Sequence, residues 1–159
     1  MGLADRPFKT SLPPELLEGI QRGTLKSTYR GRRFLKNPFD VMLYMRLIDN
    51  LRPGAIIEVG TKEGGSALWF ADTMAAIGVT PRVVSIDLNA QAEISDSRLT
   101  ILQGDARDLS ATLQPAFLSA LPHPWLVCED SAHTFEACTA VLDFFDHLLE
   151  SGDYIVIED

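Results

Sequence analysis

Five short apolar runs dominate the second two-thirds of the chain: AIIEVG (55–60), RVVSIDL (82–88), LTILQGD (99–105), WLVCED (125–130) and YIVIED (154–159). Stretches of helical periodicity separate them at 64–77, at roughly 107–121 and at 134–149. Val- and Ile-rich strands alternating with helices build βαβ units, whose right-handed crossovers leave few arrangements open. The spacing predicts an α/β fold with a doubly wound parallel sheet, its five strands in the order 3-2-1-4-5. Between the second and third runs the chain is short and polar, which makes a helix there the least supported of the set.

Upstream, Ser11 before Leu12-Pro13-Pro14 suggests a short capped helix to about Gln21, and residues 22–36 read as a loop. Asn37-Pro38-Phe39-Asp40 has the form of a helix start: a capping side chain, proline in the first turn and an acid beside it. Val41, Tyr44, Met45, Ile48 and Leu51 follow at helical spacing. A chain of 159 residues suits a single domain, divided here into an N-terminal helix and basic loop (1–37) and an α/β core (38–159).

No apolar run reaches membrane-spanning length, and MGLADRPFKT lacks the apolar centre of a signal peptide, so the expected location is the cytoplasm. Cys128 and Cys138 fit no metal or redox spacing. A net charge of −8 argues against a general nucleic-acid binder. Arg22 to Lys36, with six basic residues and no acid, is the local exception. It reads either as a solvated loop or as a cationic rim that steers an anionic substrate.

Each apolar run ends on or near an acid: Glu58, Asp87, Asp105, Asp130, and the pair Glu158 and Asp159. In an open α/β sheet that edge binds ligands, so five acids in register imply a ligand that is cationic, hydroxyl-rich or metal-bound. The first run leads into EVGTKEGGS (58–66), a glycine-bearing turn that opens a helix, where the N–H groups of Gly65 and Ser66 can hold a carboxylate or phosphate. A dinucleotide turn has glycine where this chain has Lys62, and Glu58 would repel a pyrophosphate. An acid there suits a ligand bearing an ammonium group, such as S-adenosylmethionine. Asp87, 22 residues after Gly65, can accept from ribose hydroxyls, and Asp105 is placed for the adenine amino group.

YRGRRFLKNPFDVMLYMRLI, IIEVGTKEGGSALWFAD, VVSIDLN, EDSAH and YIVIED together resemble the cephalosporin hydroxylase/rhamnosyl O-methyltransferase family of class I S-adenosylmethionine-dependent methyltransferases, from about Tyr29 onward. The resemblance implies a Rossmann-like fold and a cofactor pocket lined by Glu58, Gly60, Thr61, Gly64, Gly65, Ser66, Asp87 and Asp105. It implies Mg²⁺ on Asp130, Glu158 and Asp159, with His133 and Asp130 as the catalytic pair and His133 as base. The expected reaction is methyl transfer to a hydroxyl of a sugar or small natural product. Metal acidification of the acceptor and an imidazole base make chemical sense of that set.

Oxygenation, which the word hydroxylase would suggest, needs two histidines and a carboxylate around iron. His123, His133 and His147 supply no such spacing. Two other readings stay open: a non-catalytic cofactor-binding or interaction module, and a nicotinamide-dependent oxidoreductase, which Lys62 and Glu58 oppose. The family usually has seven strands, so the five here read as a domain cut short of its last two. The bare fifth strand then predicts self-association.

Overall fold

The computed structural model describes residues 10–90 and 94–158. Helix α1 (Pro14–Thr24) is followed by strands β1 (Thr28–Tyr29) and β2 (Arg32–Arg33), then α2 (Pro38–Leu51). The sheet strands β3 (Ala55–Val59), β4 (Val83–Asp87), β5 (Leu99–Gln103), β6 (Trp125–Glu129) and β7 (Tyr154–Ile157) come next, with α3 (Gly65–Ala76), α4 (Pro115–Leu118) and α5 (Phe135–Asp146) between them. All neighbours in the five-stranded sheet are parallel, in the order β5-β4-β3-β6-β7. Counted along the chain this is the expected 3-2-1-4-5, with β3 at its centre.

Side-chain alternation divides the core. Ile57, Val59, Ile86 and Val127 face one way and pack on Val141 and Phe145 of α5, and on Leu109, Leu113 and Leu118. Ile56, Val83, Leu126 and Cys128 face the other way, against Tyr44 and Ile48 of α2 and Ala67, Phe70 and Met74 of α3. Strands buried on both faces account for the unbroken apolar runs. Asn37 caps α2 as its sequence predicts, accepting from the backbone N–H groups of Phe39 and Asp40.

Three local expectations change. Residues 22–36 are not wholly loop, because Arg30 and Gly31, both at positive φ, close a two-residue hairpin between β1 and β2. The expected helix over 107–121 is a 3-10 stretch, Ala106–Ala111, broken at Asp108, and then the four residues of α4. Pro115 cannot donate into a continuing helix, so it starts a new one. Helix α1 starts at Pro14 without a side-chain cap, so Ser11 does not serve that role. Between β4 and β5, where the least supported helix was expected, the described residues 88–90 and 94–98 form no helix, and 91–93 lie outside the described residues.

The hairpin lies against the start of α3. A Cβ on Gly65 would stand 2.1 Å from the Arg33 carbonyl oxygen, so glycine is required there by the hairpin. Tyr29, Phe34, Trp69, Tyr44 and Phe70 form a run of ring contacts behind it. Asp72 of α3 completes the tie, accepting from the Tyr29 hydroxyl at 2.8 Å and from the guanidinium of Arg98 at 2.7 Å.

Candidate active site

A cavity of about 930 Å³ opens at the C-terminal edge of the sheet. Its floor comes from the ends of β3, β4 and β6. Thr24 and Leu25 at the end of α1, with Leu35 and Lys36 after the hairpin, form the opposite wall. Gly60, Thr61, Ser66, Asp87, Asp105, Asp130, His133 and Glu158 all line it. Glu58, Gly64 and Gly65 are not among the lining residues. Asp159 lies outside the described residues.

The turn after β3 is shaped by two close approaches. Gly60, at φ 115°, lies so near β6 that a Cβ would fall 2.0 Å from the Asp130 carbonyl oxygen. Lys62, in the position a dinucleotide turn gives to glycine, is itself left-handed at φ 49°, a conformation that costs roughly 1 kcal/mol for a residue with a side chain. Its N–H is held at 2.8 Å by Asp87 Oδ2, whose other oxygen accepts from the Asn89 N–H. Asp87 therefore straps the turn to the end of β4 while facing the cavity.

Beneath the turn, Glu58 is fully buried. Ser85 on β4 donates to its Oε2 at 2.5 Å, so the Thr61 hydroxyl, 2.7 Å from Ser85 Oγ, must donate in turn to Ser85. Oε1 has no hydrogen-bond partner among the described residues. Burial pushes the Glu58 carboxyl up to about 7, against the pull of Lys36, Ser66 and Ser85. Asp105 is engaged locally. It caps the 3-10 stretch and chelates the Arg107 guanidinium, which holds its carboxyl down at about 2.

At the other end of the cavity Asp130 and Glu158 converge on one cation, the ammonium of Lys36. Lys36 Nζ is 2.5 Å from Asp130 Oδ2 and also contacts Glu158 Oε1, to which the Tyr44 hydroxyl donates at 2.6 Å. The Lys36 side chain is 1% exposed. Its burial disfavours the charge, but Asp130, Glu158 and Glu58 more than offset this and raise its pKa above the ordinary value. Burial also raises the Glu158 carboxyl, with Lys36 opposing. His133, at φ 50°, sits half-exposed with Nε2 3.5 Å from Asp130 Oδ1 and Nδ1 3.4 Å from the Glu158 carbonyl oxygen. Both ring nitrogens thus face acceptor oxygens, so a neutral imidazole can donate to only one of them and an imidazolium to both.

Among the described residues no group of three or more His, Cys, Asp or Glu side chains is gathered to hold a metal ion, so the fit to a divalent ion rests on the Asp130–Glu158 pair. Two carboxylates from different strands already share a cation, through the hard oxygen donors that Mg²⁺ prefers. Lys36 and Tyr44 are the members that sequence reasoning missed. The signal available was a charge imbalance, since clustered buried carboxylates require a positive partner.

The basic stretch does not form a free cationic rim. Arg30 pairs with Asp72 and Asp96, Arg33 with Glu63, Arg22 with Glu18, and Arg32 donates to the Glu63 carbonyl. The other histidines stand away from the cavity: His123 stacks on Trp125 and bonds Asp153, and His147 is exposed at the end of α5.

Sheet order, strand-edge cavity and acid-ended strands define a Rossmann-like methyltransferase fold. The chain belongs to the rhamnosyl O-methyltransferase/CmcI family, whose model matches residues 22–159. It is 30% identical over 139 residues to the rhamnosyl O-methyltransferase of Mycobacterium tuberculosis, covering 84% of this chain and 57% of that protein. An apo structure of CmcI superposes with a TM-score of 0.74 at 33% identity, covering 98% of this chain and 67% of that one. A CmcI structure with Mg and SAM gives 0.71 at 32% identity, with 98% and 68% covered. The chain thus spans a little over half the length of the curated relatives it matches. Among the described residues no helix is long and apolar enough to cross a membrane.

Proposed function

We propose that this chain carries the cofactor and metal sites of an S-adenosylmethionine-dependent, Mg-assisted O-methyltransferase acting on a hydroxyl of a sugar or small natural product. The observation that carries the reading is that one cavity is lined both by the turn that Asp87 straps through the Lys62 N–H and by Asp130, Glu158 and His133. A family relative has been solved with Mg and SAM, and curated relatives are named for rhamnosyl O-methylation.

In this reading Asp87 accepts from the ribose hydroxyls, while Glu58 lends negative charge beneath the methionine ammonium. Asp105, already chelated by Arg107, has less freedom to meet the adenine than its position suggested. Asp130 and Glu158 would hold the metal, with Asp159 as the third expected ligand. When bound, S-adenosylmethionine would supply the methyl group and leave as S-adenosylhomocysteine, and Mg²⁺ would lower the pKa of the acceptor hydroxyl. His133 takes the acceptor's proton at Nε2, and Asp130 beside that nitrogen stabilises the resulting imidazolium. With the arginines of the basic stretch paired, nothing favours an anionic acceptor over a neutral one.

The test is calorimetric titration of S-adenosylmethionine with and without Mg²⁺, on the wild type, Asp87→Ala and Asp130→Ala. Asp87→Ala should weaken cofactor binding at least about tenfold, the value of one charged hydrogen bond. Asp130→Ala should retain the cofactor and lose the Mg²⁺ signal. Failure of the wild type to bind the cofactor would overturn the reading.

A further inference from the structure

We propose that Lys36 is an exchangeable counter-cation: its ammonium holds the place between Asp130 and Glu158 until a divalent ion takes it, and it then swings into the cavity. The inference rests on the metal-assisted reading above and adds to it a residue that governs metal entry.

The ammonium contacts the same oxygens that a metal would need, Asp130 Oδ2 and Glu158 Oε1. Two cations cannot share that position, because at contact distance their repulsion is large wherever water is excluded. The Lys36 backbone cannot yield, since Asn37 next to it is fixed as the cap of α2. Only the side chain moves, and its four-carbon stem permits that. Lys36 already lines the cavity that would receive it.

The carboxylates themselves are held by other contacts. Tyr44 donates to Glu158 Oε1 independently of Lys36, while the Asp130 carboxylate has His133 Nε2 3.5 Å from its other oxygen, Oδ1, and a backbone braced by Gly60. The oxygen pair therefore keeps its geometry while its cation changes. In the metal-free protein Lys36 spares two partly buried carboxylates from facing each other unpaired.

Two measurements test the exchange, neither of them an activity assay. In the wild type, reductive methylation followed by mass spectrometry compares Lys36 with Lys26 and Lys62, in chelator and in saturating Mg²⁺. Labelling of Lys36 should rise several-fold with Mg²⁺ while the two reference lysines stay constant. Unchanged or reduced labelling overturns the proposal.

In Lys36→Met and Lys36→Gln, titration with Mn²⁺ read by electron paramagnetic resonance should show binding at least tenfold tighter than in the wild type. Equal or weaker binding overturns it. If either variant fails to fold, the wild-type labelling decides. Calorimetry with S-adenosylmethionine on the same samples separates the two ideas. Cofactor binding with no Mn²⁺ uptake in any protein would make Lys36 a permanent counter-ion and leave the cofactor reading standing. Tighter Mn²⁺ binding without cofactor binding would leave the exchange standing and remove the methyltransferase reading.

Discussion

Glu58 shows what one buried carboxyl does to the behaviour of this protein. It would ionise near its ordinary 4.5 in the unfolded chain and near 7 in the fold. Between those values the unfolded state gives up a proton that the native state keeps. Stability from this group is therefore complete below about pH 4.5 and is lost as pH rises through 7, by roughly 3 kcal/mol at 1.36 kcal/mol per pKa unit. Thermal melts in chelator should show the wild type losing stability between pH 5 and 8, and Glu58→Gln should remove most of that slope. A variant with the same slope as wild type would mean that another group titrates there.

At the scale of elements, the β1–β2 hairpin is held by a few contacts from outside itself. Asp72 on α3 ties down Tyr29 and Arg30 of the hairpin and Arg98 at the start of β5. Asp72→Ala should destabilise the protein by about 1–3 kcal/mol, measured by urea denaturation. It should also speed hydrogen exchange at the Phe34 amide, which bonds the Ser27 carbonyl across the hairpin base. Protection at Phe34 equal to wild type would show that ring packing alone holds the hairpin.

The elements themselves were legible in unequal measure. Strands such as Ala55–Val59 announce themselves because burial on both faces demands unbroken apolar residues, and α2 because Asn37 and Pro38 mark its start. The hairpin escaped notice because Arg30-Gly31 lacks the usual asparagine or aspartate before glycine. Gly65 was read for its N–H, as a holder of a ligand's carboxylate or phosphate, whereas what requires glycine there is the hairpin backbone, which leaves no local pattern. Lys36 was read as one more charge in a basic run, since its partners lie 94 and 122 residues away. Local pattern carries local structure, and ion pairs across the fold leave no periodicity to read.

For the whole molecule, β7 is the open question of the sheet. Among the described residues no strand pairs with its outer edge, and Tyr154 and Ile157 are exposed along it. No charged residue within Tyr154–Ile157 blocks pairing with another chain. Sedimentation velocity on a protein of these 159 residues should therefore show association as concentration rises. Ile157→Pro should reduce it, because the Glu158 N–H bonds the Glu129 carbonyl on β6 and the alternation turns the Ile157 N–H outward. A monomer at high concentration would set the idea aside.

The contact between Gly60 and Asp130 has a consequence at this same scale. Where β3 and β6 end, the two halves of the cavity meet backbone to backbone, with room for a hydrogen atom and nothing larger. There is no side chain between them to act as a cushion. A change that displaces the backbone at 130–131 will press directly on the turn, and its first symptom should be altered cofactor affinity, whereas truncating the Asp130 side chain leaves that contact in place. On the proposed function, this one backbone contact couples acceptor preference to cofactor grip.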